Sequence, residues 1–270
     1  MKISIVTVSF NEEKNIARTI ESVLKQTTCD FEYIICDGKS TDKTVKIAES
    51  YEEAFLNKGI DYIINSEKDN GIYYGMNKGI EMATGEYIYF LNSGDWFYSN
   101  DVIEKVVAYA IEKNSPDVVY GHVANVERNT VSILRGNDKA LYRYMSVCHQ
   151  GVFASTALMQ EHKFNIDYKI MADYDFLLGL KLAGKIFSQI DLVIAYFSVG
   201  GVSSVDAKGF IRDLLKIHEM RKSSLGALTK LRLRLGTYKT TVAIAIKAKM
   251  PLKLWYWWSI KVKKKTLLEK

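Results

Sequence analysis

The chain has 270 residues, 48% hydrophobic and 25% charged, with two prolines and three cysteines. This is enough apolar surface for one large α/β domain with a modest appendage, and it excludes a disordered, proline-rich or disulfide-stapled protein. The net charge of +6 hides an asymmetry: of 37 bases and 31 acids, 14 bases and one acid, Glu269, lie from Arg221 onward, leaving 23 bases against 30 acids before it.

Such a basic tail on an acidic body points to an anionic partner. Cys29, Cys36 and Cys148 have no metal-ligand spacing and read as thiols packed in a reducing cytosol. The opening MKISIVTVSF reads as a strand rather than a signal peptide, and no run of about 20 apolar residues predicts a membrane-spanning helix.

In chain order, 3–10 is a buried strand, and Asn11 offers a cap to a helix with Ile16, Ile20, Val23 and Leu24 inward and Glu12, Glu13, Lys14 and Arg18 outward. A second strand, 31–36, runs into DGKSTDKT, where Ser40 or Asp42 can cap a helix with Val45, Ile47, Ala48 and Tyr51 inward. A third strand follows at 60–64. This β-α-β-α-β alternation calls for a parallel sheet with right-handed crossovers.

The stretch 66–95 organises the rest. SEKDNGIYYGM reads as a glycine-punctuated loop, NKGIEMATG as a short helix ending at Gly85, and EYIYFL as a buried strand that delivers NSGD to its carboxyl end. In open α/β sheets ligands bind outside that end. A helix over 102–110, a strand at 117–120, a ribbon over 124–134 and a strand at 148–155 follow. Then come a helix from about Asp173, one or two strands over 186–198, and a basic helical pattern from about Lys208.

Three acidic positions stand at strand ends or helix starts: Asp37, Asp95, and the pair Asp173 and Asp175. Each alone reads equally as a turn, cap or macrodipole residue. Together they place carboxylates along one sheet edge, one able to hold a cation beside a diphosphate and one able to act as a base. Asp173 and Asp175 are two apart, so only one faces the cleft, and Asp175 reads as a capping or supporting acid. His122, His149, His162 and His218 lack metal spacing and read as surface or packing residues. Neither a GxxxxGKS/T phosphate loop nor a GxGxxG fingerprint is present, and Ser9 and Ser155 lack a nucleophile elbow.

SIVTVSFNEEKNIARTIESVLKQ, DGKSTDKT, the 66–95 stretch and ADYDFLLGLKLAG together resemble family 2 glycosyltransferases, most closely the bacterial subgroup that builds O-antigen, capsule and exopolysaccharide. The resemblance implies a GT-A fold, a three-layer α/β/α sandwich with a mostly parallel central sheet, over residues 1–205. A basic, aromatic-rich helical segment, 206–270, follows. It implies inverting transfer of a hexosyl or N-acetylhexosaminyl group from a nucleoside-diphosphate sugar, with UDP expected, to a growing, lipid-linked glycan at the cell surface, with Mg2+ or Mn2+ as cofactor.

By position, Val8, Ser9, Asn11 and Glu12 match the first nucleotide-binding strand end. Asp37 matches the aspartate that reads the base, and Asp69, Gly71 and Asn77 match the loop closing over the nucleotide. Asn92 is expected on the nucleotide-sugar, Asp95 on the metal, and Asp173 as the catalytic acid of the "ED" motif. Asn92 stands where the family often has an aspartate, Ala172 where it has a glutamate, and Met76 where it has an arginine. Those departures leave a second reading, a catalytically weak nucleotide-sugar-binding or scaffold protein of a polysaccharide assembly complex.

In LWYWWSIKVKKK, Trp255, Tyr256, Trp257 and Trp258 stand among lysines. Such a segment suits an anionic membrane surface, with 221–265 as the contact and the protein cytoplasmic, peripheral on the inner face of the cell membrane. The same aromatics could pack on the domain. A nucleic-acid partner is not expected, because the body is acidic and carries no recognition module.

Overall fold

The computed structural model describes residues 1–127, 130–198, 206–221 and 266–267. The expected parallel unit is β3 (Tyr62–Ser66), β2 (Phe31–Asp37), β1 (Ile3–Ser9) and β4 (Tyr87–Phe90), side by side in that order. Beyond β4 the pairing turns antiparallel through β8 (Val152–Ser155), β6 (Val118–Glu127), β7 (Thr130–Leu134) and β10 (Thr266–Leu267). The long β9 (Phe187–Ser198) runs parallel to β6 and pairs with the short β5 (Trp96–Phe97).

The strand period of two divides the core into two layers. Val6 and Val8 of β1, Ile34 and Cys36 of β2, and Ile88 and Phe90 of β4 face one layer, with α4 (Ile72–Met82), α6 (Thr156–His162) and α7 (Ala172–Leu182). Ile3 and Ile5, Tyr33 and Ile35, and Tyr87 and Tyr89 face the other, with α1 (Ile16–Leu24), α3 (Glu52–Leu56) and α5 (Val102–Glu112). Every residue of β1, β2 and β4 is buried, as expected of strands covered on both sides.

Helix α4 begins at Ile72, inside the expected loop, because Gly71 at φ +130° turns the chain and Ile72, Tyr73 and Met76 then supply an apolar face. It lies hard against β1: a Cβ on Gly75 would stand 2.7 Å from Val8 Cγ1, and one on Gly79 2.3 Å from Val6 Cγ1. The helix ends at an extended Ala83, so Gly85 is not a left-handed cap. Gly85 is required by a close approach, since a Cβ there would meet the Lys2 carbonyl at 2.7 Å and the Ser4 amide nitrogen at 2.8 Å. Asn11 does not cap α1 either. It adopts φ 54° and binds the next loop, its N–H donating to Ser40 Oγ at 2.8 Å and its Oδ1 accepting from the Thr41 N–H at 2.8 Å.

The helix after β2 is broken in two, α2 (Thr44–Glu49) and α3, with Asp42 accepting the Thr44 N–H at its start. Helix α8 (Ala207–Met220), the first part of the expected tail, packs on the domain. Its Asp213, 1% exposed, accepts the N–H groups of Lys169 and Ile170 at 2.8 and 2.9 Å. Beyond its end Arg221 donates to the Asp175 carboxylate at 2.6 Å and to its carbonyl at 2.9 Å. The tryptophans and tyrosine of 255–258 lie outside the described residues. Among those described, no helix is long and apolar enough to cross a membrane.

Candidate active site

Parallel register sets the first half of the site. Ser9, Asp37 and Ser66 are aligned at the carboxyl ends of β1, β2 and β3. Asp37, 3% exposed, accepts from Ser9 Oγ at 3.2 Å, the Ser40 N–H at 2.9 Å and Ser66 Oγ at 2.7 Å, and also from Ser40 Oγ. One carboxylate thus holds three strand ends together. Asp69 accepts the Gly71 N–H at 3.0 Å and covers Gly38, where an added Cβ would lie 3.0 Å from Asp69 Oδ2. Val8 packs beneath at Gly75. Glu12 closes the turn after β1, accepting from Asn15 Nδ2 at 2.7 Å and donating its N–H to Thr44 Oγ1 at 2.7 Å. Asn77 faces elsewhere: its amide exchanges two 2.8 Å hydrogen bonds with the backbone of Phe164 and so ties α4 to the chain after α6.

The second half is built on the turn after β4. Because β8 is antiparallel to β4, the residues before β8 come to the same edge as NSGD. They form a 3-10 turn, His149–Gly151, rather than the start of the expected strand. Asp95 is 4% exposed; its Oδ1 accepts the Ser198 N–H at 3.0 Å and its Oδ2 accepts from Gln150 Nε2 at 3.3 Å. Burial raises its pKa to about 7, against the opposing pull of the Ser198 amide, His149, Gln150 and Arg18. Arg18, expected on the solvent side of α1, reaches this turn. Its guanidinium lies 3.7 Å from the Trp96 ring and donates to the Gly94 carbonyl at 2.8 Å. Trp96, Tyr196 and Tyr98 continue as a ring stack at 4.8 and 5.0 Å.

Asp173 and Asp175 part as helical geometry requires. Asp175 turns to Arg221. Asp173 is buried at the edge, its Oδ1 accepting from Tyr73 Oη at 3.1 Å and the Tyr174 N–H at 2.9 Å, its Oδ2 lying 2.9 Å from His149 Nδ1. Burial first, then the Asp173 charge, holds the Tyr73 hydroxyl well above the ordinary tyrosine range. His149 Nε2 is 3.3 Å from Asn92 Nδ2. The histidine that spacing left as a packing residue therefore joins two of the expected site residues.

A divalent cation would find few protein charges here. Among the described residues, no group of three histidine, cysteine or acidic side chains is arranged to hold a metal ion. Yet Asn92 Oδ1 and Ser93 Oγ, in the same NSGD turn as Asp95, are buried without a hydrogen-bond partner. One carboxylate with neutral oxygens fits Mg2+ or Mn2+ when substrate phosphates and water supply most ligands.

Asp37, Asp69, Asp95 and Asp173 thus stand along the carboxyl edge of the parallel β3-β2-β1-β4 unit. The family described as Glycosyl transferase family 2 matches residues 4–171. The chain belongs to that family. It is a glycosyltransferase, and Asp173 lies two residues beyond the matched range. A PGL/p-HBAD biosynthesis glycosyltransferase of Mycobacterium bovis is 32% identical over 236 residues, covering 86% of this chain and 87% of that protein. The fold is that of GT-A glycosyltransferases. S. aureus TarS 1-349 in complex with UDP-GlcNAc superposes with a TM-score of 0.73 at 20% identity, over 94% of this chain and 77% of that one. The mannosyltransferase PcManGT from Pyrobaculum calidifontis, in complex with GDP-Man and Mn2+, gives 0.62 at 15% identity, over 97% and 79%.

Proposed function

We propose that this glycosyltransferase moves a sugar, with inversion, from a UDP-sugar to a hydroxyl of a growing, lipid-linked cell-surface glycan. The observation carrying this reading is the convergence of Asp37, Asp95, Asn92, His149 and Asp173 on one carboxyl edge of the sheet. A nucleoside-diphosphate sugar donor is supported by neighbours that hold UDP-GlcNAc and GDP-Man, and UDP is the nucleotide of this proposal. The nucleoside lies over the Ser9, Asp37 and Asp69 end, and the diphosphate over the NSGD turn. Glycosyl transfer requires a stabilised leaving group and an acceptor hydroxyl relieved of its proton in the transition state. Asp95 and Asn92 would hold a divalent cation, which when bound offsets negative charge on the departing diphosphate. Arg18, fixed on Trp96 and the Gly94 carbonyl, adds a positive charge on the α1 side of the same turn. Asp173 takes the proton of the acceptor hydroxyl as general base.

The domain is assigned to residues 1–205 and the basic segment to 206–270, whose residues 221–265 hold the protein to the anionic inner face of the cell membrane. Truncation of Leu252 to Lys270 should weaken binding to phosphatidylglycerol vesicles and leave UDP affinity unchanged; loss of UDP binding would mean that the aromatics belong to the core. For the site, calorimetric titration of UDP with and without Mn2+ is the test. Asp95→Ala should abolish the Mn2+-dependent part of the affinity. Equal affinity of wild type and variant, with and without chelator, would remove Asp95 from any metal site.

A further inference from the structure

We infer that Tyr73 is a positioning residue for transfer: its hydroxyl sets the orientation of the Asp173 carboxylate and so determines which oxygen meets the acceptor. This deepens the transfer reading above and rests on its assignment of Asp173 as the base. An aspartate carboxylate turns easily about its Cβ–Cγ bond, because that torsion has no sharp staggered wells. Its orientation must therefore come from hydrogen bonds. Asp173 Oδ1 accepts from Tyr73 Oη at 3.1 Å and from the Tyr174 N–H at 2.9 Å. An ionised carboxylate has about four acceptor sites, two on each oxygen, so Oδ1 is filled. Oδ2 meets His149 Nδ1 at 2.9 Å and, among the described residues, keeps its second site open for the acceptor hydroxyl. The adjoining wall is apolar. Phe90, Val152, Phe164 and Phe176 line a cavity of about 10 Å³ there and offer the carboxylate no side-chain donor to replace the tyrosine.

Tyr73 is held where this requires. It lies in the first turn of α4, two residues after Gly71, whose φ of +130° turns the chain into the helix and whose N–H is taken by Asp69. Its ring is 7% exposed and packs with its centroid 5.6 Å from that of Phe164, so it acts through Asp173 and not on substrate. The hydroxyl also donates to the Ile170 carbonyl at 2.7 Å. That carbonyl is a fixed point, because Asp213 of α8 accepts the N–H groups of Lys169 and Ile170. Helices α4, α7 and α8 are thus tied together at one hydroxyl. In the step, the acceptor oxygen bonds to the anomeric carbon as the bond from that carbon to the diphosphate oxygen breaks. The bonding pair leaves with the diphosphate, and the hydroxyl proton passes to Asp173 Oδ2. Tyr73 keeps its own proton throughout, in keeping with a hydroxyl held well above the ordinary tyrosine range by burial and the Asp173 charge.

Two experiments on the intact protein test this. Crystal structures of wild type and Tyr73→Phe, each grown with UDP and Mn2+, show the carboxylate directly. In the variant it should have turned about its Cβ–Cγ bond while the aromatic ring stays in place. An unchanged carboxylate would overturn the inference. The second experiment follows release of UDP from UDP-N-acetylglucosamine with Mn2+, water serving as the acceptor. Tyr73→Phe should lower kcat about 10–100-fold, the scale of a small misplacement of a reacting group, with KM for the donor and UDP affinity unchanged. Replacing Tyr73 with 4-aminophenylalanine, whose two N–H groups can serve both oxygens, should restore most of the loss. A Tyr73→Phe variant within about threefold of the wild-type kcat would overturn the inference, as would an amino variant no better than it. So would a Tyr73→Phe variant that does not fold, or that loses UDP affinity in step with turnover, since the hydroxyl would then only brace α4. A wild type that binds UDP but releases none from any UDP-sugar would sink the transfer reading instead, while the crystal structures still decide what holds the carboxylate.

Discussion

Removing the Asp213 carboxylate should destabilise the domain by about 3–4 kcal/mol, because of what it leaves behind on the loop before α7. Its Oδ2 accepts the Lys169 and Ile170 N–H groups, and its Oδ1 accepts from Arg212, whose side chain is 58% exposed. The exposed pair contributes little. The two amides decide the magnitude. An unsatisfied buried donor costs about 1–3 kcal/mol, and bonds to a charged acceptor sit at the strong end of that range. Ile170 is 6% exposed and should carry close to the full cost, whereas the Lys169 amide recovers part of its loss from water. Asp213→Ala should therefore lose about 3–4 kcal/mol in urea unfolding. Asp213→Asn, which keeps an oxygen for both amides, should lose only about 1–1.5 kcal/mol. The Ile170 carbonyl accepts the Tyr73 hydroxyl that also reaches Asp173, so Asp213→Ala should also slow transfer through loss of geometry. An Ala variant as stable as the Asn variant would refute the reasoning, since the carboxylate would then not be satisfying those amides.

Three further outcomes follow from the same packing. Burial lowers the His218 pKa to about 4, so its neutral form is favoured in the fold; that stability is complete above about pH 6.5 and is lost as pH falls toward 4. Solvent screening at this partly exposed ring cuts a face value of about 3 kcal/mol to about 1–2, and His218→Gln should flatten the acid limb of a urea-stability series by that amount. Gly85→Ala drives a Cβ onto backbone atoms of Lys2 and Ser4 and should cost about 2 kcal/mol, seen in calorimetry as a Tm lower by about 4–8 °C. Asp175→Asn should leave UDP affinity unchanged and cost about 1 kcal/mol in urea, because its partner Arg221 is itself partly exposed.

The parallel unit was legible because its strands are covered on both sides and so read as unbroken apolar runs punctuated by polar loops. The acids at the strand ends were legible because the carboxyl edge of such a sheet is where ligands bind. Other features depend on contacts between distant parts of the chain. Arg18 lies on the polar face of its helix by periodicity, and only the return of the chain at Trp96 brings a ring beneath it. His149 and Asp173 stand 24 residues apart, a separation that spacing rules for metals and catalytic motifs do not reach. Local pattern makes Gly85 a helix cap, whereas its constraint comes from the backbone of β1 pressed against it. The HQG turn carries aromatic and β-branched neighbours suited to a strand, yet Tyr89 Oη takes the Gln150 carbonyl and the N–H of Gly151 bonds back to Cys148, curling the chain one residue before β8.

Inverting transfer at this edge is tested most directly by following the sugar itself. The protein is mixed with Mn2+ and UDP-N-acetylglucosamine, whose sugar is α-linked, at enzyme concentrations that outrun mutarotation, and the anomeric protons are read by time-resolved 1H NMR. Donor loss well above the protein-free control, with the β anomer of the free sugar appearing first, is the predicted result. An intact donor, or the α anomer appearing first, would contradict it.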